Sequence, residues 1–175
     1  NIKALEVAAG NLKLQNLHTF ETSGGNSLVF DFLAAKLPEN CLKTLKINNL
    51  SNSDAQLNNF LKKQTAIRNF DLTGYLMSAE SLTALKLDSL RIILNHKNDQ
   101  TEAERELLTS LIKSQPDLIT LDLLNDMDYA FCFVDDKMFA EICALKKLEK
   151  LFISIDEMTA EGIQKISNLT SLKEF

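Results

Sequence analysis

Glycine is scarce in this chain. The five residues Gly10, Gly24, Gly25, Gly74 and Gly162 are too scattered to form a phosphate-binding loop. Histidine is scarcer still: His18 and His96 stand far apart, and no motif supplies the partners a triad or a histidine-based metal site would need. Three cysteines, Cys41, Cys132 and Cys143, make an odd count with no C-x-x-C and no closely spaced pair. They read as free, largely buried thiols in a reducing compartment. No apolar run approaches the length needed to cross a bilayer, and residues 1–10 lack the charged leader and apolar core of a secretory signal. Lysine and arginine number 19 against 24 acidic residues, a net charge of -5 without long runs of one sign. That balance argues against a general binder of nucleic acid or anionic membrane, which needs a basic face, and leaves room for a protein partner with a basic patch. The expected location is cytoplasmic or nuclear.

What is present is leucine-dominated and 45% hydrophobic, a globular and not a disordered composition. Leu118-Ile119-Thr120-Leu121-Asp122-Leu123 reads L-x-x-L-x-L, with Asn125 two residues later. The spelling recurs at Leu42–Ile47, Ile67–Leu72 and Leu148–Ile153. Alternating apolar residues over so short a span mark a strand with one buried face. Such a strand cannot bury that face alone, so a stack of units is required. Repeat starts fall near residues 2, 17, 42, 67, 87, 118, 148 and 172. Between Leu82 and Ile92 the motif is spelled twice; a start at Leu87 is preferred because Asn95 then follows the strand, leaving residues 78–85 for a short helix.

Helices fill the intervals. Leu28, Phe30, Leu33, Ala34 and Leu37 are spaced as one apolar face, stopped by Pro38. Ser53 and Thr101 open capping-box sequences, and Asp135 or Asp136 and Thr159 stand where later helices need caps. A strand–helix alternation predicts a parallel sheet on one side and helices on the other, with Leu45, Ile47, Phe70, Leu72, Leu121, Leu123, Leu151 and Ile153 buried. The whole chain, 1–175, reads as one repeat domain cut from a longer array, since a last unit beginning at Leu172 is unfinished.

Capped helices after each L-x-x-L-x-L unit, at intervals of 20 to 31 residues, resemble the ribonuclease-inhibitor-like class of leucine-rich repeats. The resemblance implies an α/β leucine-rich repeat solenoid, a horseshoe with its parallel sheet concave and its helices convex. Extracellular members commonly carry cysteine-rich caps, which are not visible here. Intracellular relatives include F-box substrate receptors of ubiquitin ligases and the sensor arms of NOD-like innate immune receptors. The implied function is non-catalytic protein recognition; the alternative is a structural or autoinhibitory solenoid packed on its own parent chain.

The acidic residues Asp126, Asp128, Asp135 and Asp136 suggest calcium, but the glycine and terminal glutamate of an EF-hand loop are missing and aromatics occupy ligand positions. Catalytic residues, metals and cofactors are therefore not expected, and the partner expected is a protein, with no nucleic acid, membrane or small-molecule cofactor. The binding surface follows from the pleat: residues between and after each buried pair point away from the core. In early units these positions are small and polar. In later units they are Arg91, Ile93, Asp122, Leu124, Lys150 and Phe152, with Tyr129 expected to fold over from the insertion after Asn125. An apolar centre with a charged rim suits a protein-binding patch; the alternative is that Ile93 or Phe152 covers a core edge, or that a following repeat buries Phe152.

Overall fold

Each repeat needs one anchored side chain where its chain turns toward the sheet. Leu17, Leu42, Ile67, Leu87, Leu118 and Leu148 stand at that place, two residues before strands β1 (Thr19–Ser23), β2 (Thr44–Leu50), β3 (Asn69–Gly74), β4 (Ser89–Leu94), β5 (Thr120–Asp122) and β6 (Lys150–Phe152). All of these anchors but Leu17 are buried. The computed structural model describes residues 14–23, 27–50, 54–74, 80–94, 102–124, 134–155 and 158–175. The expected repeat start near residue 2, His96, Tyr129 and Cys132 lie outside the described residues.

The six strands form one sheet in sequence order, every neighbouring pair parallel. Parallel neighbours require a crossover. Helices supply it: α1 (Ser27–Lys36), α2 (Asp54–Lys62), α3 (Glu80–Thr83), α4 (Glu102–Lys113) and α5 (Asp136–Ile142), with α6 (Ala160–Gln164) after β6. A backbone chain of hydrogen bonds also runs through the second position of each motif. The N–H of Lys43 donates to the His18 carbonyl, Arg68 to Lys43, Asp88 to Arg68, Ile119 to Asp88, Glu149 to Ile119 and Lys173 to Glu149, all at 2.8–2.9 Å. Stacking thus continues beyond β6, where Lys150 makes a single parallel bridge with Glu174. Because β4 begins at Ser89, the ambiguous repeat opens at Leu87 and the helix before it is the short α3.

The inward ladder is Phe20, Leu45, Phe70, Leu90, Leu121 and Leu151, in register from strand to strand. Helices add Phe30, Phe60, Leu82, Leu108 and Phe139 to the same core. The rings of Phe30 and Phe60 are tilted by 35° with centroids 6.0 Å apart, a separation within the range of aromatic contacts. Two expectations need correction. Ile153 is only partly buried, because β6 ends at Phe152 and its far side is met by a single bridge. Leu28 is 55% exposed: it is two residues from Phe30, about 200° round the helix at 3.6 residues per turn, so it faces away from the core.

Two glutamines stitch repeats together in the turns. Buried Gln64 donates through Nε2 to the Pro38 carbonyl at 2.7 Å, and its Oε1 accepts the Leu42 N–H at 3.1 Å. Buried Gln115 repeats the device: Oε1 accepts the Leu87 N–H at 2.9 Å, while Nε2 donates to Ser114 Oγ at 2.9 Å and toward the Leu82 carbonyl at 3.4 Å. Each amide satisfies backbone groups of the preceding helix-to-strand turn that the core would otherwise leave unpaired. Near the chain's end the stitching is acidic. Asp135 caps α5, accepting the Met138 N–H at 2.8 Å. Asp136 accepts both the N–H (3.0 Å) and the hydroxyl (2.6 Å) of Thr159, which itself caps α6 through the Gly162 N–H. A side chain at Gly162 would overlap the Asp136 carboxylate.

Candidate functional site on the open face of the sheet

The strand residues that alternate with the core ladder form a second ladder on the face away from the helices. In register it reads Glu21, Lys46, Asp71, Arg91, Asp122 and Phe152. Charge alternates along it until Phe152, so each side chain has an opposite neighbour one strand spacing away.

Arg91 is the centre. Its Nε donates to Asp122 Oδ2 at 3.0 Å and its Nη1 lies 3.6 Å from Asp71 Oδ1. The second contact is electrostatic, too long for a hydrogen bond, and Asp71 Oδ1 accepts none. Asp122 Oδ1 accepts the Leu124 N–H at 3.0 Å, closing the end of β5. Lys150 pairs with Glu174 at 2.7 Å, and that carboxylate raises the lysine pKa. Three of the charged residues expected to rim a patch, Arg91, Asp122 and Lys150, are therefore engaged with their own sheet.

The apolar members divide. Leu124, two residues past β5, is 41% exposed, and Phe152 is half-buried beside Asp122. Ile93 is different: it was expected to be presented outward and is only 7% exposed. Its neighbours Ile92 and Leu94 belong to the continuous core and Ile93 does not, so the pleat puts it on the open face. There Thr73 lies in register beside it, and little of its surface remains for a partner. Ile155, missed in the ladder because it follows Ser154 where alternation has ended, is 42% exposed at the end of the β6 segment. Its only sequence signal was an apolar residue next to an acidic pair in a loop.

Among the described residues, the thiols and His18 are shielded or already engaged. Burial raises the pKa of Cys41, whose thiol donates toward Gln64 Oε1 at 3.7 Å, and burial likewise raises that of Cys143. His18 Nδ1 lies 3.1 Å from the Cys41 carbonyl. A cavity of about 150 Å³ at the turn of Lys86, Leu87 and Ser114–Asp117 is lined by Gln115, whose amide is already committed to Leu87, Ser114 and Leu82. Among the described residues no group of three or more histidine, cysteine or acidic side chains is placed to hold a metal, and no helix is long and apolar enough to cross a membrane.

No protein-family model matches the chain, and no curated protein matches it. Among solved structures, an internalin of Listeria monocytogenes is similar over 90% of this chain and 47% of its own, with a TM-score of 0.52 and 14% sequence identity. The chain thus spans about half the length of that structure. At this identity the likeness concerns the fold, and with the parallel sheet and its helical crossovers it establishes a leucine-rich repeat solenoid.

Proposed function

We propose that the chain is a non-catalytic protein-recognition module that binds its partner at the β5–β6 end of the open sheet face. The observation carrying this reading is the exposure of Leu124, two residues past β5, and of Ile155, three residues past β6, with Phe152 half-buried at the end of β6. Exposed aliphatic groups grouped at one place cost solubility and gain free energy once covered. The charged neighbours support this role indirectly. The Asp71–Arg91–Asp122 bridge fixes the face, so a partner meets a preformed surface with little ordering to do. The resemblance to ribonuclease-inhibitor-like repeats supports an intracellular setting, as the substrate-binding arm of a ubiquitin ligase or the sensor arm of an innate immune receptor.

The test compares captured proteins for the wild type and for Leu124→Asp/Ile155→Asp in the full-length parent. Leu28→Asp serves as the control, since Leu28 is exposed on α1 away from this face. Loss of specific partners in the double variant alone is the expected result. Unchanged capture by the folded double variant removes the face from consideration; a contact shifted from outside proteins to the parent chain supports the autoinhibitory alternative.

A further inference from the structure

The chain is acidic overall, yet its topology collects cations on one edge. In a strand–helix solenoid every turn from a helix C-terminus into the next strand lies on the same rim. The first three such turns with described neighbours, residues 36–43, 62–68 and 84–88, carry Lys36, Lys43, Lys62, Lys63, Arg68 and Lys86 against Glu39 and Asp88. Six cations less two carboxylates give +4, so the remaining chain carries -5 less +4, or -9. Cross-repeat bonds join these turns into one edge. Lys63 Nζ donates to the Ala34 carbonyl at 3.0 Å, the Asn40 N–H donates to the Lys63 carbonyl at 2.9 Å, and Arg68 Nη1 donates to the Lys86 carbonyl at 2.8 Å. All six cationic residues are exposed.

Helix dipoles favour cations at helix C-termini and account for part of this placement. They do not account for the contrast with the far half of the same rim. There Lys113 pairs with Glu141, Lys147 with Asp117 and Lys173 with Glu149, at 2.6–3.3 Å. Among the described residues, none of the six cations of the first half makes an ion pair. Lys146 and Lys165 of the far half likewise make no such pair among the described residues, but three of its five cations do, against none of six in the first half.

We propose that this half-rim, from the end of α1 to the start of β4, is a second docking surface, and that its occupant is a short acidic segment of a protein partner. Extent decides the kind of partner. Two strand spacings separate β2 from β4, about 10 Å, so the zone of unpaired cations is short, and Asp88 with the carboxylates of Asp117, Glu141 and Glu149 beyond it interrupts it. A nucleic-acid strand or an anionic bilayer would extend past this zone onto a chain that is otherwise strongly negative. The three turns also offer no aromatic platform for bases, and no large exposed apolar side chain stands in them to enter a membrane. A few consecutive acidic residues match the zone without that repulsion.

The experiment uses the 175-residue chain and fluorescein-labelled hexaglutamate as probe, with a short oligodeoxythymidine and phosphatidylserine vesicles as competing arms. Lys36→Gln/Lys43→Gln/Lys62→Gln is compared with Lys113→Gln/Lys147→Gln/Lys173→Gln, which removes the same charge from the paired end. Expected is salt-sensitive binding of the peptide that weakens about tenfold in the first variant and less than about twofold in the second. Thermal melting checks that both are folded, and Lys43→Gln alone serves if the first triple variant is not. Equal losses in the two variants, no binding of the peptide at low salt, or tighter binding of the oligonucleotide or vesicles than of the peptide would overturn the proposal.

Discussion

From β1 to β4 the strands are five to seven residues long, whereas β5 and β6 have three each. Both regions use the same inward Leu and Phe ladder, so the core motif does not explain the difference. What differs is the joint between repeats. In the first region the joints combine five or six register pairs with the Phe30–Phe60 ring contact and the buried amide of Gln64. Gln115 marks the changeover. Beyond it the joints are three register pairs, surface ion pairs and the Asp136–Thr159 clasp. A repeat motif therefore specifies what is buried and leaves open how neighbours are held, and exposed ion pairs are the weaker solution.

Truncating core side chains should have the largest effects in both halves. Phe60→Ala should cost about 3–5 kcal/mol and Leu121→Ala about 2–5 kcal/mol, as lost transfer free energy plus a cavity. Urea unfolding measures both. If the halves differ only in their joints, the two variants will fall in the same range; a Leu121→Ala loss below about 1 kcal/mol would show the second half loosely packed.

Next in size come the amide staples. Gln64→Ala and Gln115→Ala should each cost about 1–3 kcal/mol, because each strands backbone groups of the preceding helix-to-strand turn. Neutral effects would mean that water replaces the amide and that the glutamines are not the joint.

Gly162→Ala sharpens the other side, since the new methyl group would meet the Asp136 carboxylate. A cost of about 1–3 kcal/mol is expected. It should be smaller in an Asp136→Ala background, and a double-mutant cycle without coupling would contradict the clasp.

The smallest effect is on pH dependence. The Thr159 hydroxyl, and after it the Thr159 N–H, lower the Asp136 pKa. The Asp117 pKa is lowered by its hydrogen bond to Lys147 and then by that charge. A carboxylate depressed on folding contributes stability that is present above its unfolded pKa, about 4, and lost as pH falls through the folded value. Asp136→Asn should thus flatten the loss of stability as pH falls below about 4, with unchanged slope contradicting the assignment.

Much of the architecture was legible because a pleated strand alternates strictly and the Leu spacing recurs. Each described strand starts two residues after its repeat-opening Leu or Ile, even where Leu82 competed with Leu87. The surface was less legible. Ile93 lies on the open face, as alternation requires, but alternation says nothing about how completely neighbours cover a side chain. Gln64 and Gln115 resemble ordinary turn polar residues until the backbone groups they satisfy are known. The basic half-rim was hidden because a net charge of -5 averages over faces that the topology separates.

Residue-resolved hydrogen exchange at low salt and at about 1 M NaCl tests the two kinds of joint most directly, since salt of that strength screens exposed charges beyond about 3 Å. The amides of Leu45, Phe70 and Leu90 should keep their protection in salt, while those of Leu121 and Leu151 open at lower free energy and lose protection. One common opening free energy for all five, unchanged by salt, would contradict the account.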